Sequence, residues 1–153
     1  MKKVMKSVLG VTLLEVMLVL AVAAMIIVMS VRYYQSATAN QQANSALQIA
    51  QGITAAADGL AQATGSYATG GVATATVAGL MPGGGVTITA PWGGQVTVTG
   101  AAASTYVVTF TNTPVQVCSI LKSRLAGNPK YVGASANACS AVASFTYTYT
   151  STN

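Results

Sequence analysis

From Val11 to Val31 the chain is apolar at every position except Thr12, Glu15 and Ser30. At about 1.5 Å per residue, a helix of this run is about 30 Å long, the thickness of bilayer hydrocarbon. Apolar side chains fall on all sides of it, so it is not a surface helix with one buried stripe. The pattern then changes. Between Ser36 and Thr64 the chain is rich in Ala and Gln, and Leu47, Ala50, Ile53 or Thr54, Ala57 and Leu60 recur at intervals of three and four. That spacing predicts an amphipathic helix. Gly52 and Gly59 weaken it without ending it. We read one long helix from Val11 to about Ala63, the second half laying its apolar face on a sheet.

Residues 65–100 hold ten of the fifteen glycines, and 65–85 reads as a loop with little periodic pattern. The run Gly83-Gly84-Gly85 has no following Lys-Ser/Thr and is not a phosphate-binding loop. Alternation begins at Val86-Thr87-Ile88-Thr89 and resumes at Gln95-Val96-Thr97-Val98-Thr99, with Pro91-Trp92-Gly93-Gly94 as the turn between them. The three segments predict a hairpin. Residues 105–111 and 144–150 alternate Thr with aromatic or β-branched residues, which suits a half-buried pleated surface. Sheets with one solvated face are usually antiparallel. Between these strands Thr113 is a candidate N-cap and Pro114 a first-turn residue. Val115, Cys118, Leu121 and Leu125 then share a face, Lys122 and Arg124 sit in the last turn, and Gly127 can close the helix. The expected fold is α+β: a long N-terminal hydrophobic helix on an antiparallel sheet, with a second helix inserted before the last strand. Trp92 reads as a structural plug for the sheet in preference to a head-surface contact.

Composition narrows the chemistry. Charged residues make up 6% and apolar residues 52%, against about 25% charged in an average soluble domain. Such a chain is neither disordered nor well suited to the cytosol. It has no His and two acids, Glu15 and Asp58. Imidazole bases and His-ligated zinc are excluded, and paired carboxylates would require those two acids to meet. The net charge is +5, but three of the seven bases lie in the first six residues and the rest are scattered. Nucleic acid is not indicated, because a binder shows a dense basic face. We expect no enzyme, no cofactor and no metal.

Lys2, Lys3 and Lys6 ahead of the apolar run place the N-terminus in the cytoplasm and the remainder outside. Arg32-Tyr33-Tyr34 at the end of the run reads as an interfacial belt or as packing between stems. The run itself has three readings: a signal peptide cut after Ala37-Thr38-Ala39, a plain anchor, or a specialised leader and stem. Outside the cytoplasm Cys118 and Cys139 are expected to be oxidised together rather than left as buried thiols. A closed loop of about 22 residues contributes about 3 kcal/mol in the chain-entropy description.

The residues favour the third reading. Gly10-Val11-Thr12-Leu13-Leu14-Glu15-Val16 resembles the prepilin peptidase site of type IV pilins. It has a Gly before the cut, an apolar first mature residue, a Glu five residues into the mature chain and an unbroken apolar run after it. The Thr-Leu-Leu-Glu-Val opening, the Pro-Trp-Gly-Gly turn and the helix carrying the first Cys look most like the type IVb subgroup of bundle-forming, toxin-coregulated and conjugative-plasmid pilins. The resemblance implies a leader over residues 1–10, a stem over 11–35 and a head over 36–153. That head holds the amphipathic helix 36–64, the loop 65–85, the sheet and a disulfide-closed region 118–139. It also implies insertion in the inner membrane, cleavage after Gly10 and N-methylation of Val11. Glu15 would pair with the Val11 amine of a neighbouring copy, and the product would be a surface filament serving adhesion, aggregation or DNA transfer. The implied partners are further copies of the chain, the prepilin peptidase, the assembly machinery and a host or cell-surface ligand. A minor pilin or a secretion pseudopilin is the alternative. The calcium site of many pseudopilins needs clustered acids, and no acid follows Asp58. A secreted binding domain beginning at Asn40 is a further alternative. Asp58 is expected either to lie on a solvated helix face or to pair with Lys122, Arg124 or Lys130 of another copy.

Overall fold

The computed structural model describes residues 12–68 and 71–151. Gly10, Val11 and the remainder of the 1–10 leader lie outside the described residues. The chain divides into two compact units, with the division after Ala37.

The first unit carries the N-terminal part of helix α1, which runs unbroken over Leu13–Thr64. The helix begins at a Thr-x-x-Glu pattern: the Glu15 N–H donates to the Thr12 carbonyl at 2.9 Å and to its hydroxyl at 3.4 Å. That arrangement satisfies one of the free amides of the first turn. Ser30 returns its hydroxyl to the Ile26 carbonyl at 2.8 Å, so this donor is satisfied within the helix.

The second unit is an α+β head. The C-terminal part of α1 lies on a five-stranded antiparallel sheet of order β1-β2-β3-β5-β4. The strands are β1 Ile88–Thr89, β2 Gln95–Ala102, β3 Thr105–Thr113, β4 Tyr131–Val132 and β5 Ala143–Thr150. The buried line of α1 is Ala39, Ala43, Ala46, Ala50, Ile53 and Ala57, at spacings of four and three. Leu47 and Leu60 flank it, half-buried. Small side chains let the helix approach the large ones beneath: Tyr106, Val108 and Phe110 from β3, and Phe145, Tyr147 and Tyr149 from β5. Tyr106 stacks on Tyr149 at 4.9 Å and donates its hydroxyl to Thr54 Oγ1 at 3.1 Å, joining sheet to helix. Gly52 is where Met81 packs, so this glycine serves side-chain fit and the helix continues through it.

Three sequence expectations are corrected. The 65–85 loop contains helix α2, Thr74–Leu80. Its stability comes from burying Val77 and Ala78, and from a Thr76 hydroxyl that accepts the Ala73 N–H at 3.1 Å. Thr113 does not cap helix α3 (Val115–Leu125). It is the buried end of β3, its hydroxyl donates to the Phe110 carbonyl at 3.2 Å, and Pro114 holds the N-cap position. Gly127 does not close α3, whose C-cap is Ala126, with its N–H on the Lys122 carbonyl. The β1–β2 hairpin forms about the predicted turn, with Ile88 opposite Val96. Trp92 donates its indole N–H to the Thr111 carbonyl at 2.9 Å and leans on Phe110, covering that end of the sheet. A Cβ on Gly94 would run into the same carbonyl oxygen and the indole.

Where the short outer strands β1 and β4 end, other groups bond the exposed stretches of β2 and β5. On β2, the Thr74 hydroxyl accepts the Val98 N–H at 2.9 Å and bonds the Val98 carbonyl at 3.2 Å. Nearby, the Gly100 N–H donates to the Val72 carbonyl at 2.9 Å. On β5, the Asn137 amide donates to the Thr146 carbonyl at 2.9 Å and accepts its N–H at 3.0 Å. Beyond that point β4 pairs with Thr148 and Tyr149, and the Thr150 N–H reaches the Lys130 carbonyl.

Candidate functional site

Two features stand out: the apolar segment of α1, and a group of polar contacts on the head. In the apolar segment, an 18-residue window has a mean hydropathy of 2.7 and none of it is buried within the chain. From Leu13 to Val31, Leu, Ile, Val and Met side chains are exposed on every face of the helix. By length and composition this helix can cross a membrane, which is compatible with membrane anchoring. Burying apolar surface is favourable by about 25 cal/mol per Å², so this segment calls for a cover that the described residues do not supply. A shallow groove of about 410 Å³ runs beside Ala21, Ala24, Val28 and Arg32.

Glu15 stands exposed at the beginning of that segment, in the first helical turn. The structure gives it a local role that spacing alone did not reveal: its amide is capped by Thr12, and a carboxylate there faces the positive end of the helix dipole. Arg32 and Tyr33 are exposed at the far end of the apolar run.

On the head, Cys118 of α3 is joined to Cys139, with Cα atoms 5.5 Å apart. The enclosed segment is also tied by the Lys122 ammonium, which donates to the Asn137 carbonyl at 2.9 Å. Asn137 therefore sits between a covalent bond, a lysine and the β5 edge.

Asp58 does not lie on a simply solvated helix face. The Tyr67 hydroxyl donates to its Oδ1 at 2.6 Å. Burial first, and then the bond to this carboxylate, push the Tyr67 phenol up to about 12. The two line a polar cavity of about 440 Å³ with Gln62, Ser104 and Ser151. Tyr106, Tyr147 and Tyr149 are also raised, chiefly by burial, and the Tyr147 hydroxyl is buried without a partner among the described residues. Sequence reading missed Tyr67, Thr74 and Asn137. Tyr67 lies in a Gly-rich stretch without periodicity, and the bonds of the other two span 24 and 9 residues. Among the described residues, no three of His, Cys, Asp and Glu come together as a metal site.

Comparison with protein-family profiles, with curated proteins and with solved structures finds no match. The architecture itself is consistent with a pilin-like fold: an apolar N-terminal helix, a helix-on-sheet head and a disulfide near the C-terminus.

Proposed function

We propose that the chain is a structural, non-enzymatic subunit of a type IV pilus, of the type IVb kind. It enters the inner membrane as a precursor with its head in the periplasm. It is cut after Gly10, methylated at Val11 and polymerised through its stem into a surface filament. The observation that carries this reading is the apolar part of α1, exposed on all faces. Lipid covers it before assembly, and the stems of other copies cover it afterwards. Glu15, at the start of the stem, pairs with the Val11 amine of a neighbour and sets the axial register. Opposite charges within about 4 Å attract strongly once water is excluded. The sheet supports the same mode of assembly. Extended strands add to open sheet edges, and here Thr74 and Asn137 occupy the edges of β2 and β5. Those stretches of β2 and β5 are closed to an added strand, and the proposed route to a polymer is helix packing. The non-enzymatic reading rests on composition, with no His and two acids.

The test is the intact mass and N-terminal sequence of protein sheared from the cell surface. The expected product begins at methylated Val11, and its abundance separates a major subunit from a minor pilin or pseudopilin. A product beginning at Asn40 would overturn the filament reading in favour of a secreted binding domain. Glu15→Ala is expected to leave cleavage intact and impair filament growth.

A further inference from the structure

The head, residues 38–153, contains one acidic side chain, Asp58, and three basic ones, Lys122, Arg124 and Lys130. Their placements differ. Lys122 is engaged with the Asn137 carbonyl, and the Lys130 ammonium lies 6.0 Å from the Tyr149 ring centroid. Arg124 is exposed in the last turn of α3, beside a groove that it shares with Leu47 and Gln51. Asp58 is half-buried at the wall of a cavity of about 440 Å³. One of its oxygens is held by Tyr67, and Gln62, Ser104 and Ser151 add acceptors around it. A guanidinium fork matches a carboxylate flanked by hydroxyls better than an ammonium does.

We infer that this cavity is a socket for Arg124 of a second copy of the chain, and that the pair forms the charged contact between heads in the filament. The inference rests on the pilus reading above and deepens it. Along α1 the Arg124 groove is level with Gln51, and Asp58 stands seven residues of helix further on, a rise of about 10 Å. The two groups face different cavities of the head, and the inferred pair joins two chains. Socket and knob are different patches of one surface. The interface is therefore heterologous, and each copy that fills one socket offers a further knob. An interface of this kind propagates into a helical filament unless its rotation closes a ring. The single head acid makes the contact specific, since no other carboxylate side chain on the head competes for the arginine.

The experiment compares filament yield, relative to membrane precursor, for wild type, Arg124→Asp, Asp58→Arg, Asp58→Asn and the double variant Asp58→Arg/Arg124→Asp. Arg124 is exposed, so its replacement leaves the head folded, and Asn at 58 retains an acceptor for Tyr67. Thermal unfolding of the detergent-solubilised full chain checks both. Arg124→Asp and Asp58→Arg are each expected to lower yield about tenfold or more. Asp58→Asn should lower it less, and the double variant should recover most of the loss. Single variants with wild-type yield, or a double variant as poor as either single, would overturn the contact while leaving the pilus reading standing. A wild-type chain that forms no filament overturns both.

Discussion

Replacing Asn137 by alanine removes the side chain that closes the β5 edge. Its amide oxygen accepts the Thr146 N–H at 3.0 Å, and its amide nitrogen donates to the carbonyls of Thr146 at 2.9 Å and Ala134 at 3.0 Å. Residues 137 and 146 are both half-buried, so water replaces some of these bonds but not all of them. A net hydrogen bond contributes about 1 kcal/mol, and a donor left without a partner costs more. Together the losses come to about 2 kcal/mol. For a head of this size that lowers the thermal midpoint by about 8 °C. It also speeds exchange of the Thr146 amide about 30-fold, since each 1.4 kcal/mol is about tenfold. The disulfide and the Lys122 bond to the residue 137 carbonyl remain, so, beyond the general loss of stability, the added local opening should be greatest at Thr146. The assay is amide hydrogen exchange on the detergent-solubilised full chain, read at Thr146 and at Thr148, whose edge is covered by β4. Unchanged exchange at Thr146, or equal acceleration at both amides, would refute the reasoning.

Other outcomes follow from particular contacts. A Cβ on Gly100 would meet the Tyr67 carbonyl, whereas one on Gly59 meets nothing. Gly100→Ala should destabilise by about 1–3 kcal/mol, and Gly59→Ala, in the helix, should stabilise by about 0.5–1 kcal/mol, both read by urea unfolding. Replacing Cys118 and Cys139 together by serine should cost about 3 kcal/mol, with an increased urea slope as the unfolded chain expands. The Tyr67 phenol titrates near 12 in the folded head against 10.0 ordinarily. A pKa raised by folding stabilises fully below the unfolded value, so stability should decline as pH rises from about 10 to about 12. Tyr67→Phe should make that decline shallower by one group's share, with Tyr106, Tyr147 and Tyr149 carrying the rest, followed by urea midpoints and tyrosinate absorbance.

The legibility of the chain divides along physical lines. The stem, the α1 stripe, the strands with alternating Thr and aromatic residues and the hairpin turn were readable because burial imposes a period on local sequence. Even there the helix face came out centred on alanines, with Leu47 and Leu60 flanking it. The sheet asks for close approach, and apolarity alone carries no information about distance. Thr113 and Pro114 show the limit of local rules. The residues of a cap were present, but the strand before them kept Thr113 buried.

What the sequence determined by itself is the α+β plan and the apolar stem. Runs, alternation and glycine turns are properties of neighbours along the chain, and the hydrophobic effect acts on them wherever the chain goes. What the tertiary structure alone decided is how the polar groups are satisfied. Thr74 closes β2, Asn137 closes β5, Tyr67 holds Asp58, and α2 forms within a glycine-rich stretch because Val77 and Ala78 find a core. A backbone N–H at a sheet edge donates to any acceptor that reaches it. Which residue does so depends on where the fold brings distant segments together, and no periodicity in the sequence records that.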